Sequence, residues 1–420
     1  MKADLLIKNG QTVTVAGTMG PVAGTAMDNL EVLEKGWLAV KGAEIIAVGT
    51  EEEVKSQVEI GDKTRVIDAA GKVVTPGLID PHTHVIFGGS REDEFVMRIQ
   101  GASYMEIMEA GGGILNSVQG TRSASKEELI ELGRTRLDWM LETGTTTVES
   151  KSGYGLNLET EMKQLRAANK LEKDHPMDLV HTFLGAHAWP EEYKEDHAGY
   201  IKELIEEMLP KVKEEDLAEY CDVFCEKGVF SIEETREIME AAKEMGFDLR
   251  LHADEITTLG GAELAAELGA VSADHLLMVS DEGIKAMRDK GVMPVLLPTT
   301  AFTLKKPYAP ADKMMEQGLP LALATDFNPG SSPNSSLILT MTIACLYMGL
   351  TPEAAFNAVT INAAHSLNRA DKIGSLEKGK QADIVIFDID NYRKIPYFYG
   401  ANLVEQVVKK GEVVVDKKLK

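Results

Sequence analysis

The chain has only three cysteines in 420 residues, Cys221, Cys225 and Cys345. That is too few for a disulfide framework at this size, and it fits a reducing cytosol. Cys221 and Cys225 share a face of the strand-like run Tyr220 to Glu226, but no further cysteine stands nearby to complete a metal site. Basic residues are also short, 44 against 67 acidic, for a formal net charge of −23. This balance argues against nucleic acid and anionic membranes as partners, because phosphate recognition needs local cation density. An anionic substrate would need a locally basic pocket set against the global field. No apolar run reaches the roughly 20 residues of a membrane span. Met1-Lys2-Ala3-Asp4 opens a short amphipathic segment with no cleavage site, so a cytoplasmic location is expected. There is no repeat at a solenoid period. Gly111-Gly112-Gly113 lacks the Gly-Lys-Ser/Thr ending of a phosphate loop.

What is present is an ordinary globular composition, 44% hydrophobic and 26% charged, long enough for one large barrel with a smaller appendage. Short strands and turns fill residues 1–75, and the same style returns at Ala382 to Phe387, Val404 to Val408 and Glu412 to Val415. Two β-rich ends around a long middle predict a composite β-sandwich from 1–75 and 372–420, with an inserted domain over 76–371. The middle alternates strand and helix. Eight strands are expected: Leu78 to His84, Thr145 to Ser150, Leu179 to His187, Tyr220 to Glu226, Leu249 to Ala253, Ser272 to Leu276, Met293 to Leu297 and Leu321 to Asp326. Between them lie amphipathic helices such as Glu127 to Thr143, with Leu129, Leu132, Leu137 and Met140 on one face. That pattern is an α/β (β/α)8 TIM barrel, whose chemistry sits at the C-terminal strand ends.

Seven of the eight expected strands end on ionisable groups. The first ends on His82 and His84, which share a face because strand side chains alternate. The second ends on Glu149 and Lys151, the third on His187, the fourth on Glu226, the fifth on His252 with Asp254 and Glu255 following, the sixth on Asp274 and His275, and the eighth on Asp326. His82, His84, His252 and Asp326 form a metal set of three imidazoles and a carboxylate, suited to a catalytic ion that lowers the pKa of water. Glu255, three residues beyond His252, is placed to shuttle protons, and His275 to donate to a developing oxyanion. Lys151 invites comparison with the carbamylated lysines that bridge two metals. A complete one-metal set without it favours a mononuclear site, with Lys151 as a structural or supporting cation. Arg91, in Phe87-Gly88-Gly89-Ser90-Arg91-Glu92, offers a fork for a carboxylate, although a pair with Glu92 or Glu94 is the plainer use. Tyr104 and Tyr154 lie on glycine-flanked segments. Asn328-Pro329-Gly330-Ser331 follows the eighth strand, where barrels bind anions through backbone N–H groups. His175, His181, His197 and His365 read as surface or packing residues.

Gly77-Leu78-Ile79-Asp80-Pro81-His82-Thr83-His84, with its strand-rich flanks, resembles the amidohydrolase superfamily. The longer strings resemble its imidazolonepropionase family: Phe87 to Glu92, Ala110 to Leu115, Lys151 to Leu156, Gly185-Ala186-His187, His252 to Glu255, Ala273 to Leu276 and Ala324 to Ser331. The likeness spans the barrel and weakens in the terminal strands. It implies hydrolytic opening of 4-imidazolone-5-propanoate to N-formimidoyl-L-glutamate in histidine degradation. It also implies one zinc or iron on His82, His84, His252 and Asp326, with Glu255, His275 and Asp326 catalytic. Around the substrate it implies Arg91, Tyr104, Tyr154, His187, Asn328, Gly330 and Ser331, and for the assembly a homodimer. One alternative is another mononuclear amidohydrolase such as a nucleobase deaminase, whose neutral substrate needs no carboxylate clamp. A barrel kept only as a scaffold is the other, and such proteins lose ligands where this chain retains the full set.

Overall fold

The structure is a computed structural model describing residues 1–17, 20–102, 106 and 111–419. The N-terminal segment forms strands β1 (Leu5–Val13), β2 (Val32–Lys41), β3 (Glu44–Gly49), β4 (Arg65–Asp68) and β5 (Val73–Pro76). β2 pairs antiparallel with β1 and β3, while β4 and β5 share the other edge of β1 in parallel. A single residue, Gly77, separates β5 from the barrel. A Cβ there would lie 2.1 Å from Thr146 Oγ1, so the entry into the barrel requires glycine.

The barrel strands are β6 (Leu78–Asp80), β7 (Thr145–Lys151), β8 (Asp178–Ala186), β9 (Tyr220–Cys225), β10 (Asp248–Ala253), β11 (Ser272–His275), β12 (Met293–Leu296) and β13 (Ala322–Leu323). Each lies parallel to its sequence neighbour. The first is shorter than the histidine pattern implies, because Pro81 has no N–H to offer a ladder. His82 to His84 nevertheless remain extended against the end of β13. Asp326 N–H donates to the His82 carbonyl at 3.0 Å and His84 N–H donates to the Phe327 carbonyl at 2.9 Å. Asp80 reinforces this seam, accepting from Thr325 N–H at 3.1 Å and from Thr325 Oγ1 at 2.6 Å. Burial pushes the Asp80 carboxyl up to about 7.

β14 (Ile384–Phe387) returns antiparallel to β5, and β15 (Val404–Lys409) and β16 (Glu412–Asp416) follow it. Leu5, Ile7, Leu38 and Val40 then share one buried cluster with Ile384, Ile386 and Val408, so the two ends of the chain make the small β-sandwich together. Lys409, buried in β15, reaches Asp383 at 2.6 Å and Asp178 at the foot of β8 at 2.7 Å.

The helices bury the faces their spacing sets. Lys126–Glu142 opens with a capping box between Ser125 and Glu128, and buries Leu129, Leu137 and Met140. Leu132, expected on the same face, is exposed. The packed arc instead centres on Gly133 and Arg136, whose guanidinium donates to the carbonyls of Val85 and Phe87 and lies over the Phe87 ring.

Candidate metal centre and active site

The seam that closes the barrel also assembles the donors. His82 and His84 on one side and Asp326 on the other are fixed by its backbone bonds. Asp326 Oδ1 stands 3.6 Å from His82 Nε2 and 3.5 Å from His84 Nε2. β10 adds His252, whose ring centroid is 4.6 Å from that of His82. All four side chains are buried. Among the described residues three donor triads each lie within reach of a single ion: His82 with His84 and Asp326, His82 with His252 and His275, and His84 with His187 and His252. Nε2 of His82 and Nε2 of His252 are buried without a hydrogen-bond partner, a costly arrangement that a metal ion relieves. Burial holds His82 and His84 well below the usual imidazole range, leaving their nitrogens as lone-pair donors. Burial acts on His252 in the same sense, but the adjacent Asp222 carboxylate outweighs it and raises the pKa overall.

Carboxylates stand behind two of these imidazoles. His82 Nδ1 lies 2.6 Å from Asp274 Oδ2, and His252 Nδ1 lies 3.0 Å from Asp222 Oδ1. Each contact holds the ring with Nε2 facing the other donors. Asp222 is an inward residue of β9, while its neighbours Cys221 and Cys225 point into the outer core. Burial raises both thiols, to about 11 for Cys225. Lys151 does not face the donors. Its Nζ donates to Glu149 Oε1 and to Asp222 Oδ2, both at 2.7 Å, and lies 3.7 Å from Asp274 Oδ2. Burial disfavours its charge, but Asp222 and Glu149 more than offset that and raise its pKa.

The rim above is strained. Asp254, His275, Leu276 and Asp326 all take left-handed backbone at φ 49°, 76°, 61° and 52°. Each costs about 1 kcal/mol or more for a residue with a Cβ. The surroundings impose these turns. Asp254, for example, accepts from the N–H groups of Leu259, Gly260, Gly261 and Ala262. Glu255 then stands with Oε2 3.6 Å from His275 Nδ1. Burial first, and the Asp326 charge second, push its carboxyl up to about 8. Burial also raises Asp326, to about 6, against the Thr300 hydroxyl that donates to Oδ2 at 2.6 Å. His275 is held well below its ordinary value by burial, so it sits there neutral.

The outer wall shows Arg91 in its plainer use and departs from the expected pattern at the Asn328 turn. Arg91 is committed to Glu94, Nε to Oε1 at 2.9 Å and Nη2 to Oε2 at 2.7 Å, and both side chains are largely buried. Its Nη1 lies over Gly330, where a Cβ would come within 1.9 Å of it. The backbone N–H groups of Gly330 and Ser331, expected to face an anion, instead donate to Asn328 Oδ1 at 2.8 and 2.7 Å. The Asn328 side chain closes its own turn first, also donating to Asp326 O and Ser331 Oγ. Tyr154 is buried beside His84, its centroid 5.6 Å away, and its hydroxyl feels both Asp326 and Arg91. His187 stacks on His84 at 4.9 Å, with Nδ1 3.0 Å from the Gly153 carbonyl. Glu161 fixes this loop by accepting from Gly153, Gly155 and Leu156. Tyr104 lies outside the described residues. Glu226, at the fourth strand end, points away and caps Ile256 and Thr257. His175, His181 and His197 pair instead with Asp138, Glu172 and Glu234.

The raised Glu255 carboxyl makes stability depend on pH. The folded protein keeps this proton up to about pH 8, while the unfolded chain releases it near 4.5, so stability falls across that interval and levels above it. Metal-free Glu255→Gln is expected to melt a few degrees above the parent at about pH 9, with the gap closing at about pH 5. Thermal melts at the two pH values read this, and an equal gap at both would contradict it.

A sequence profile of the amidohydrolase family matches residues 73–414. An imidazolonepropionase of Alkaliphilus metalliredigens (strain QYMF) is 53% identical over 422 residues, covering 99% of each chain. One from Geobacillus sp. (strain WCH70) is 54% identical over 414 residues, covering 98% of each. Among solved structures, E. coli guanine deaminase superposes with a TM-score of 0.75 at 16% identity, over 98% of this chain and 99% of that one. A zinc-bound adenosine deaminase of Xanthomonas campestris gives 0.73 at 19% identity, over 99% and 94%. These two share the fold at distant identity. With a profile match over most of its length and relatives at half identity from end to end, the chain belongs to the amidohydrolase family.

Proposed function

We propose that the chain hydrolyses 4-imidazolone-5-propanoate to N-formimidoyl-L-glutamate, a step of histidine degradation. The observation that carries the reading is its end-to-end likeness to relatives named imidazolonepropionase. The donor set, a high-pKa carboxyl and a guanidinium on one rim are the groups this chemistry needs. In the reaction a water oxygen bonds to the ring carbonyl carbon, the bond from that carbon to the ring nitrogen breaks, and the nitrogen takes up a proton. We assign His82, His84, His252 and Asp326 to one zinc or iron ion, which when bound supplies Lewis acidity and brings the pKa of water toward neutrality. Glu255, beside His275, takes the water proton and returns it to the leaving nitrogen. Neutral His275 donates to the carbonyl oxygen as it gains negative charge. Asp326, tied by Thr300, orients the attacking water.

Arg91 binds the propanoate through Nη1, the edge that Glu94 leaves free, with Tyr154 beside it. His187, Asn328, Gly330, Ser331 and Tyr104 complete the substrate surround. A carboxylate clamp separates this reading from a deaminase of neutral bases. The reading carries a cytoplasmic location, supported by three free cysteines; no described helix is long and apolar enough to cross a membrane. It also carries a homodimer. Its support is the exposed apolar side chains of Leu346 and Tyr347, at the end of the helix Leu337–Tyr347, and of Tyr397, Phe398 and Tyr399, at and just beyond the end of the helix Lys394–Tyr397 that touches it.

Incubation of the metal-replete protein with 4-imidazolone-5-propanoate is expected to yield N-formimidoyl-L-glutamate, and absence of product would sink the proposal. Arg91→Ala and Gly330→Ala should each raise KM by about 10–100-fold, the worth of one or two hydrogen bonds to a charged group. Unchanged KM in both would remove Arg91 from the substrate site. Sedimentation should show one species at twice the chain mass, and a monomer at micromolar concentration would refute the dimer.

A further inference from the structure

Beneath the donors lies a buried charge cluster that the proposed chemistry does not use: Lys151 and Arg250 with Glu149, Asp222 and Asp274, every side chain fully buried. Five ionisable side chains in a barrel centre are not needed for stability. Apolar residues of similar volume pack such a space at least as well, and removing one partner is what costs. The cluster is therefore better explained by what it holds in place.

The two carboxylates that back the imidazoles are secured differently. Asp274 is held by Ser272 Oγ at 2.6 Å and by Arg250 Nη2 at 3.3 Å, with the Lys151 ammonium farther off. Asp222 faces His252 with both oxygens, each 3.0 Å from Nδ1, and its Oδ1 also accepts the His252 backbone N–H at 3.1 Å. Its Oδ2 is held by Lys151 at 2.7 Å. Lys151 is in turn anchored by Glu149, which also accepts from Thr182 Oγ1 and from Thr83 N–H, between His82 and His84. One ammonium thus links the backbone at the first two histidines to the carboxylate that aims the third.

We propose that Lys151 is a positioning residue for the metal: anchored on Glu149 by one hydrogen bond, it holds Asp222 by the other so that His252 presents Nε2 to the ion. This rests on the metal reading proposed above. It gives Lys151 a different part from a carbamate bridge, since a carbamate would place another anion against Glu149, Asp222 and Asp274.

Zinc titration against a competing chelator tests this on the folded full-length protein. Lys151→Met is expected to bind zinc 10–100-fold more weakly than the parent, the loss typical when support behind a ligating histidine is removed. Lys409→Met removes a comparable buried ammonium, paired with Asp178 and Asp383 in β15, and should leave zinc affinity within about twofold of the parent. If Lys151→Met fails to fold, the charge-balanced pair Lys151→Met with Glu149→Gln gives the same reading. Parent-like affinity in the Lys151 variant would overturn the proposal, as would equal losses in both lysine variants. So would two zinc ions per chain whose binding depends on bicarbonate. A parent that binds neither zinc nor iron would overturn the metal reading itself, and this inference with it.

Discussion

Two backbone hydrogen bonds close the barrel, Asp326 N–H to the His82 carbonyl and His84 N–H to the Phe327 carbonyl. The candidate chemistry depends on them. The side chains of the same residues are three of the four proposed ligands, so forming the last seam of the fold and assembling the site are one event. β6 and β13 are short, and Pro81 interrupts the first, leaving few backbone groups to share the joint. Asp80 and Thr325 supply side-chain bonds where the ladder is thin.

Electrostatics then divides the barrel into three levels. At the bottom Lys409 joins Asp383 of the sandwich to Asp178 of the barrel. In the middle, buried cations and carboxylates of nearly balanced charge fix His82 and His252 from behind. At the rim, carboxyls in dry surroundings are pushed toward neutral pH: Glu255 to about 8 and Asp326 to about 6. The left-handed turns at Asp254, His275 and Asp326 lie on this rim, where strain is retained because the surrounding bonds leave no alternative.

Much of this was legible in the sequence, for reasons that also mark where legibility ends. Each barrel strand is a short apolar run bounded by turn residues, and its C-terminal end is where ionisable side chains can face a cavity. That is why His82, His252, Glu255, His275 and Asp326 stood out. Strand ends alone misplace Glu226, which caps a loop, and pass over Asp222, three positions before the end of β9. The missed signal was alternation: besides Glu149, Lys151 and Asp274, which strand ends did flag, inward positions of central strands carry Asp222 and Arg250, charges that a barrel interior admits only when paired. Thr300 was invisible because a hydroxyl has no charge to flag it. The Asn328 turn could not be foreseen either, since a side-chain amide competes with any anion for the same N–H groups. Leu132 sits at the edge of a face whose centre is taken by Gly133 and Arg136, a choice that depends on the neighbouring strand.

In the proposed metal centre one ion sits at the closing seam. The described side chains offer three donor triads, two of which run through His275 or His187. Anomalous scattering at the zinc edge from crystals of the zinc-loaded protein separates them directly. A single peak bounded by Nε2 of His82, His84 and His252 and by Asp326 is the predicted result. A peak centred on His187 or His275, or two peaks in one chain, would contradict the account.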